Sequence, residues 1–177
     1  MLDAAIEILA EKGSKGLTHR AIDRHLGIPL GSAGAYYRTR KALIAATAER
    51  VLALDQQTVD AVQAQMPDPK DLPEFLAGIV MSARIPEHRS RHLARYALLS
   101  LAANNHELQE TVVKSRAAYI KIGEALLRSA GYAEPEIGGA TLGMFMNGLI
   151  SDLVNFDQPL LTADQILDRI RRFLRSS

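Results

Sequence analysis

The chain contains no cysteine and no tryptophan, and aromatic residues fill only 5% of its 177 positions. Without cysteine there is no disulfide staple, no thiolate nucleophile and no thiolate metal centre, and the composition suits a reducing cytoplasm. Runs that alternate apolar and polar residues are also missing, so nothing reads as a strand. The most apolar run, Ile137 to Ile150, carries Thr141 and Asn147 and is shorter than the ~20 residues that a membrane span needs, so no membrane partner is expected. The first residues, Met1-Leu2-Asp3-Ala4-Ala5-Ile6-Glu7, are amphipathic with early acids, unlike a secretory signal.

Catalytic and cofactor patterns are equally scarce. Leu30-Gly31-Ser32-Ala33-Gly34 lacks the glycine two residues before serine that a nucleophile elbow requires. His106-Glu107-Leu108-Gln109-Glu110 lacks the second histidine of a zinc protease, and there is no phosphate loop or dinucleotide fingerprint. His88 and His92 stand four residues apart, but without a clustered carboxylate they read as a solvated or pocket-rim pair. The expectation is a protein that is not an enzyme, with no metal and no cofactor.

What the chain does have is 47% hydrophobic residues, enough for a substantial core. Its net charge of +1 is unevenly spread: residues 1–50 carry +3 and residues 51–177 carry −2. A mildly basic head on a mildly acidic body points to an anionic partner at the N-terminal end.

Helical periodicity runs from end to end. Leu2, Ala5, Ile6, Leu9 and Ala10 share a face, and Gly13 stops that helix after Lys12. Thr18 is an N-cap for a helix over 18–26 with Ile22 and Leu26 as its apolar pair. Gly27-Ile28-Pro29 is a tight turn into a second short helix over 30–36. Neither short helix is stable alone, so Leu9, Leu17, Ile22, Leu26, Ile28, Tyr37 and Leu43 are expected to form a shared core. Thr39 caps a long helix that continues without Gly or Pro to Met66-Pro67, a rod joining head to body. Further helices follow over 73–85, 87–103, 106–130 and 135–155, and a last one begins at Thr162 or Asp164, with Ile166, Ile170, Phe173 and Leu174 on one stripe. The fold class is therefore all-α: an N-terminal three-helix helix-turn-helix head over 1–46, joined by a long helix to a larger helical body over 47–177.

Ile137 to Ile150 is apolar nearly all round and carries four glycines. Either it is a central core helix, or one face packs in the monomer and another on a symmetry mate, with the last helix completing an isologous four-helix interface.

Ala4-Ala5-Ile6 through Glu11-Lys12-Gly13, then Gly16-Leu17-Thr18, the Gly27-Ile28 turn, Gly31-Ser32, Tyr37 and Thr39-Arg40-Lys41-Ala42-Leu43 occur in an order and spacing that resemble the DNA-binding head of tetracycline-repressor-like (TetR/AcrR) transcription regulators. The resemblance implies a cytoplasmic homodimer, double-stranded operator DNA as partner of the heads, and a small-molecule effector in each body that changes head spacing. The implied function is a ligand-responsive transcriptional regulator, a repressor released from its operator by a small molecule. The alternative is a helical small-molecule-binding or scaffolding protein whose head does not bind DNA. This sequence has Pro29 where the family usually has a serine cap and Leu30 where a lysine is common. Met1 also begins almost on the first helix, so no basic arm is expected and phosphate contacts should be few.

On that reading Thr18, His19 and Arg20 lie near phosphates. Gly31, Ser32, Ala33, Gly34 and Ala35 are small enough for a close approach to the groove, with Ser32 bonding a base or phosphate and Ala33 or Ala35 meeting a thymine methyl. Tyr36 donates to a phosphate, Tyr37 belongs to the core, and Arg38, Arg40 and Lys41 face the DNA backbone. For the ligand pocket, family habit points to Arg95, Tyr96, Leu99, Tyr119, Ile122, Met144, Phe145 and Asn147. Arg95 either pairs with a body carboxylate or faces the ligand.

Overall fold

The computed structural model describes residues 1–176, and among them every element is helical. The helices are α1 (Leu2–Gly16), α2 (His19–Leu26), α3 (Ser32–Tyr36), α4 (Arg40–Ala64), α5 (Leu72–Ser82), α6 (Pro86–Ala102), α7 (His106–Ser129), α8 (Pro135–Asn155) and α9 (Ala163–Ser176), with a short 3-10 turn at Pro69–Asp71. The all-α class is as expected. Gly13 interrupts α1 with φ 63° and ψ −173°, a backbone conformation that favours glycine, so the regular helix ends near Lys12 as expected.

The chain forms two compact units. One comprises Met1–Gln56 and Arg89–Ser115; the other comprises Gln57–His88 and the residues from Arg116 onward.

In the first unit, α1 contributes Ala5, Ile8 and Leu9, α2 contributes Ile22, α3 contributes Ala33, and α4 contributes Leu43, Ile44, Ala48 and Val51 to one core. That core continues into Ala94, Leu98, Ala102 and Leu108 of α6 and α7. Five-residue α3 and eight-residue α2 could not hold together in water. Each fully buried Leu or Ile here contributes roughly 1.5–3 kcal/mol relative to exposure. Leu26, expected in this core, is instead 40% exposed, because α2 ends at Leu26 and Gly27 turns the chain there.

In the second unit α5 packs against α9 and α8. Leu72, Leu76 and Val80 of α5 are buried, as are Ile166 and Ile170 of α9, the stripe read from the sequence. Phe145 and Phe173 stack with centroids 4.7 Å apart. The Tyr132 hydroxyl donates to the Leu174 carbonyl at 2.5 Å, and burial raises its pKa above the usual phenol value. Gly123 and Gly139 let α7 and α8 touch backbone to backbone: a Cβ on Gly139 would lie 2.7 Å from the Glu124 nitrogen and 3.0 Å from the Ile120 oxygen. One of the four glycines of the apolar run, Gly139, thus serves packing within the chain.

Helix α8 spans 21 residues over Pro135–Asn155, the range read from the sequence, with polar residues at both ends of its apolar run. It is long and apolar enough to cross a membrane, a test that buried core helices also pass. Its buried residues Gly139, Leu142, Met146, Ile150, Leu153 and Val154 make it a core helix of the second unit. Ile137 and Met144 remain 67% and 58% exposed on its other side.

Candidate nucleic-acid interface

The head is built around a carboxylate that joins its two short helices. Thr18, with φ −135° and ψ 156°, starts α2, and its hydroxyl oxygen accepts the Ala21 N–H at 3.1 Å. At the other end Gly27 adopts φ 63°, and the Ile28 N–H returns to the Asp23 carbonyl at 3.0 Å. Gly31 then turns the chain with φ 98°. Asp23, only 1% exposed, reaches from α2 to the start of α3. Its two carboxylate oxygens accept the Gly31 N–H at 2.7 Å and the Ala33 N–H at 2.8 Å. The N-terminal amides of α3, which Pro29 cannot cap, are thus satisfied from the neighbouring helix. Sequence reading missed Asp23. The available signal was a turn without a capping side chain, next to an acid one position beyond the buried Ile22.

This clamp also sets the rotational phase of α3. Ala33 was expected in the groove, but its side chain is fully buried against the head core because Asp23 draws the first turn of α3 toward α2. Ser32 is half-buried, and its hydroxyl donates to the Pro29 carbonyl at 2.6 Å, leaving only its lone pairs for another partner. Gly31 is exposed, and Tyr36 is 75% exposed. Tyr37 packs against the core, as expected.

The cations differ in their freedom. Arg20 and Arg38 are exposed. Arg40 is exposed and donates to the Ser14 carbonyl. Thr39 accepts the Ala42 N–H at 3.1 Å, the expected cap of α4. Lys41 pairs with Glu107 at 2.7 Å, and because both side chains are largely exposed the pair contributes at most about 1 kcal/mol. Arg40, Lys41 and Glu107 line a cleft of about 200 Å³ with Ile44, Leu101 and Leu108. His19 is half-buried, and its Nε2 is buried without a hydrogen-bond partner.

The residues expected to line a ligand pocket fall in both units. Arg95, Tyr96 and Leu99 belong to the first, and Tyr119, Ile122, Met144, Phe145 and Asn147 to the second. Of the two readings of Arg95, pairing is what the structure displays: its Nε donates to Asp55 Oδ2 at 3.0 Å, and its Nη2 also bonds that carboxylate. Asp55 is fully buried and also accepts from the Ser115 hydroxyl at 2.7 Å, while His92 Nδ1 lies 2.7 Å from Arg95 Nη1. His92 is therefore buried, not solvated, and His88 lies 3.0 Å from the Ser82 carbonyl. Leu99 and Met144 are 41% and 58% exposed, and Asn147 is exposed. Phe145 stacks on Phe173, a role the sequence did not reveal.

Short helices α2 and α3, a tight glycine turn and exposed cations beside it define a helix-turn-helix head on an otherwise helical chain. Comparison with known proteins makes the class specific. Residues 67–176 match the family model of the tetracycline repressor-like C-terminal domain, and the chain belongs to that family of transcriptional regulators. Solved structures share the fold over nearly the whole chain. A TetR-like transcriptional regulator from Rhodococcus sp. RHA1 is 19% identical, with a TM-score of 0.73 over 98% of this chain and 91% of that one. A protein from Saccharomonospora viridis solved with choline is 13% identical, with a TM-score of 0.80 over 98% and 93%. The multidrug binding protein EbrR, solved with ethidium, is 22% identical, with a TM-score of 0.69 over 97% and 94%. No curated protein matches the sequence.

Proposed function

We propose that this family member is a dimeric, ligand-responsive DNA-binding regulator that acts as a repressor and leaves its operator when a small molecule binds. The observation that carries the reading is the Asp23 clamp: it fixes α3 on α2 with Ala33 inward, while Tyr36, Arg20, Arg38 and Arg40 are exposed. Residues 1–46 serve DNA, and residues 47–177 serve the ligand and the dimer. Thr18, Gly31, Ser32 and Lys41 complete the DNA-facing set, Lys41 exchanging Glu107 for a phosphate. Tyr96 and Leu99 of the first unit, or Tyr119, Ile122, Phe145 and Asn147 of the second, are the ligand candidates; Arg95 is held by Asp55. That related folds were solved with choline and with ethidium supports a small organic effector. The exposed Ile137 and Met144 of α8, with α9, supply the dimer face. Effector must bind the DNA-incompetent head spacing better than the competent one, which is near one DNA turn of about 34–36 Å.

The test is binding of the full chain to duplex DNA flanking its own gene, measured by fluorescence anisotropy across salt. Saturable, sequence-dependent binding that weakens with salt is expected, and its absence at low salt refutes the reading. Tyr36→Phe should weaken that binding without changing the melting temperature. A monomer at micromolar concentration in sedimentation would remove the dimer.

A further inference from the structure

From Gly27 to Tyr37 the chain carries no Asp, Glu, Asn, Gln, His, Lys or Arg. Those are the side chains that read base edges by hydrogen bonding in the major groove: Arg or Lys for guanine, Asn or Gln for adenine, Asp or Glu for cytosine. The hydroxyls that remain are few. Ser32 donates its proton to the Pro29 carbonyl, and Tyr37 packs on the core. What the turn does present is Leu30, 65% exposed, between the exposed Pro29 and Gly31 and close in sequence to Ala35 and Tyr36. The major-groove feature read by apolar contact is the thymine C5-methyl. Of the two alanines that could meet such a feature, Ala33 is buried, and Ala35 is exposed but ends at its Cβ, so Leu30 has the longer apolar reach.

Resting on the DNA-binding reading above, we infer that Leu30 is a specificity-determining residue that packs against a thymine methyl. The operator is then marked in each half-site by thymines at fixed positions. The exposed Arg20, Arg38, Arg40 and Lys41 near this apolar tip in sequence commit its occupant to a polyanion, duplex DNA.

The test selects duplexes from a random pool with the full chain, then replaces each thymine of the best duplex by deoxyuridine, which lacks only the methyl. At one or two positions per half-site the affinity of the unaltered protein should fall about fourfold, the value of one buried carbon. In Leu30→Ala the same replacements should have no effect, while its melting temperature stays unchanged because Leu30 is exposed. A flat deoxyuridine scan, or a loss that persists in Leu30→Ala, overturns the inference while DNA binding stands. If no duplex is enriched, the DNA-binding reading itself fails.

Discussion

Replacing Asp23 by alanine tests whether one carboxylate holds the helix-turn-helix together. The substitution removes both acceptors of the α3 amides, the Gly31 N–H at 2.7 Å and the Ala33 N–H at 2.8 Å. The two amides suffer differently. Gly31 is exposed, so its N–H turns to water, and the loss is that of a helix cap, about 1 kcal/mol. Ala33 is fully buried, so its N–H stays unsatisfied at about 1–3 kcal/mol. The sum is about 2–4 kcal/mol, a large part of the roughly 5–15 kcal/mol that holds a domain folded. For a chain of this length that lowers the melting temperature by about 4–16 °C. Asp23→Asn keeps one acceptor and should lose about half as much. The assay is urea unfolding followed by circular dichroism, with amide exchange at Gly31 and Ala33; both protections should fall first. A stability of Asp23→Ala within 0.5 kcal/mol of the unaltered protein, roughly the scatter of neutral surface changes, would refute the clamp.

Arg95→Met leaves the fully buried Asp55 carboxylate without its bidentate partner and should cost about 3–5 kcal/mol in urea unfolding. Combining it with Asp55→Asn should recover part of that, and equal stability of the single and double variants would argue against a charge penalty. Gly139→Ala places a Cβ 2.7 Å from the Glu124 backbone nitrogen and should cost about 1–3 kcal/mol, read as a lower denaturation midpoint. Gly78→Ala, with nothing within 4 Å, should instead stabilise α5 by up to about 1 kcal/mol. The Arg50 hydrogen bond lowers the Asp3 pKa below its ordinary 3.8. A depressed folded pKa contributes stability that is present above the unfolded value and lost as pH falls through the folded one. Asp3→Asn should therefore flatten the acid limb of stability below about pH 4, by well under 1 kcal/mol because the side chain is mostly exposed; an unchanged limb would show that the pair does not contribute.

Periodicity alone placed α8 and α9 and the cap of α2, because long apolar stripes, Thr18 and the glycine stops act within a few residues of where they stand. The head motif was legible for the same reason: Gly27, Gly31 and Thr39 each impose a local backbone state. Ala33 was misplaced because the phase of a five-residue helix is set from outside it, by a side chain ten positions away. Leu26 was misplaced because periodicity marks a face without saying how far along the helix the core reaches. Asp55 with Arg95, and Phe145 with Phe173, join residues 40 and 28 positions apart. No spacing rule reaches that far.

The sequence by itself determined the helices, their caps and turns, and a head poor in base-reading polar side chains. These follow from short-range sterics and hydrogen bonding. Only the tertiary structure decided which side chains of the head are open to a partner. Asp23 turned Ala33 inward, Leu30 and Tyr36 stayed outside, and Arg95 turned to a buried aspartate. Burial and pairing depend on which distant segments meet, and that is a property of the folded chain.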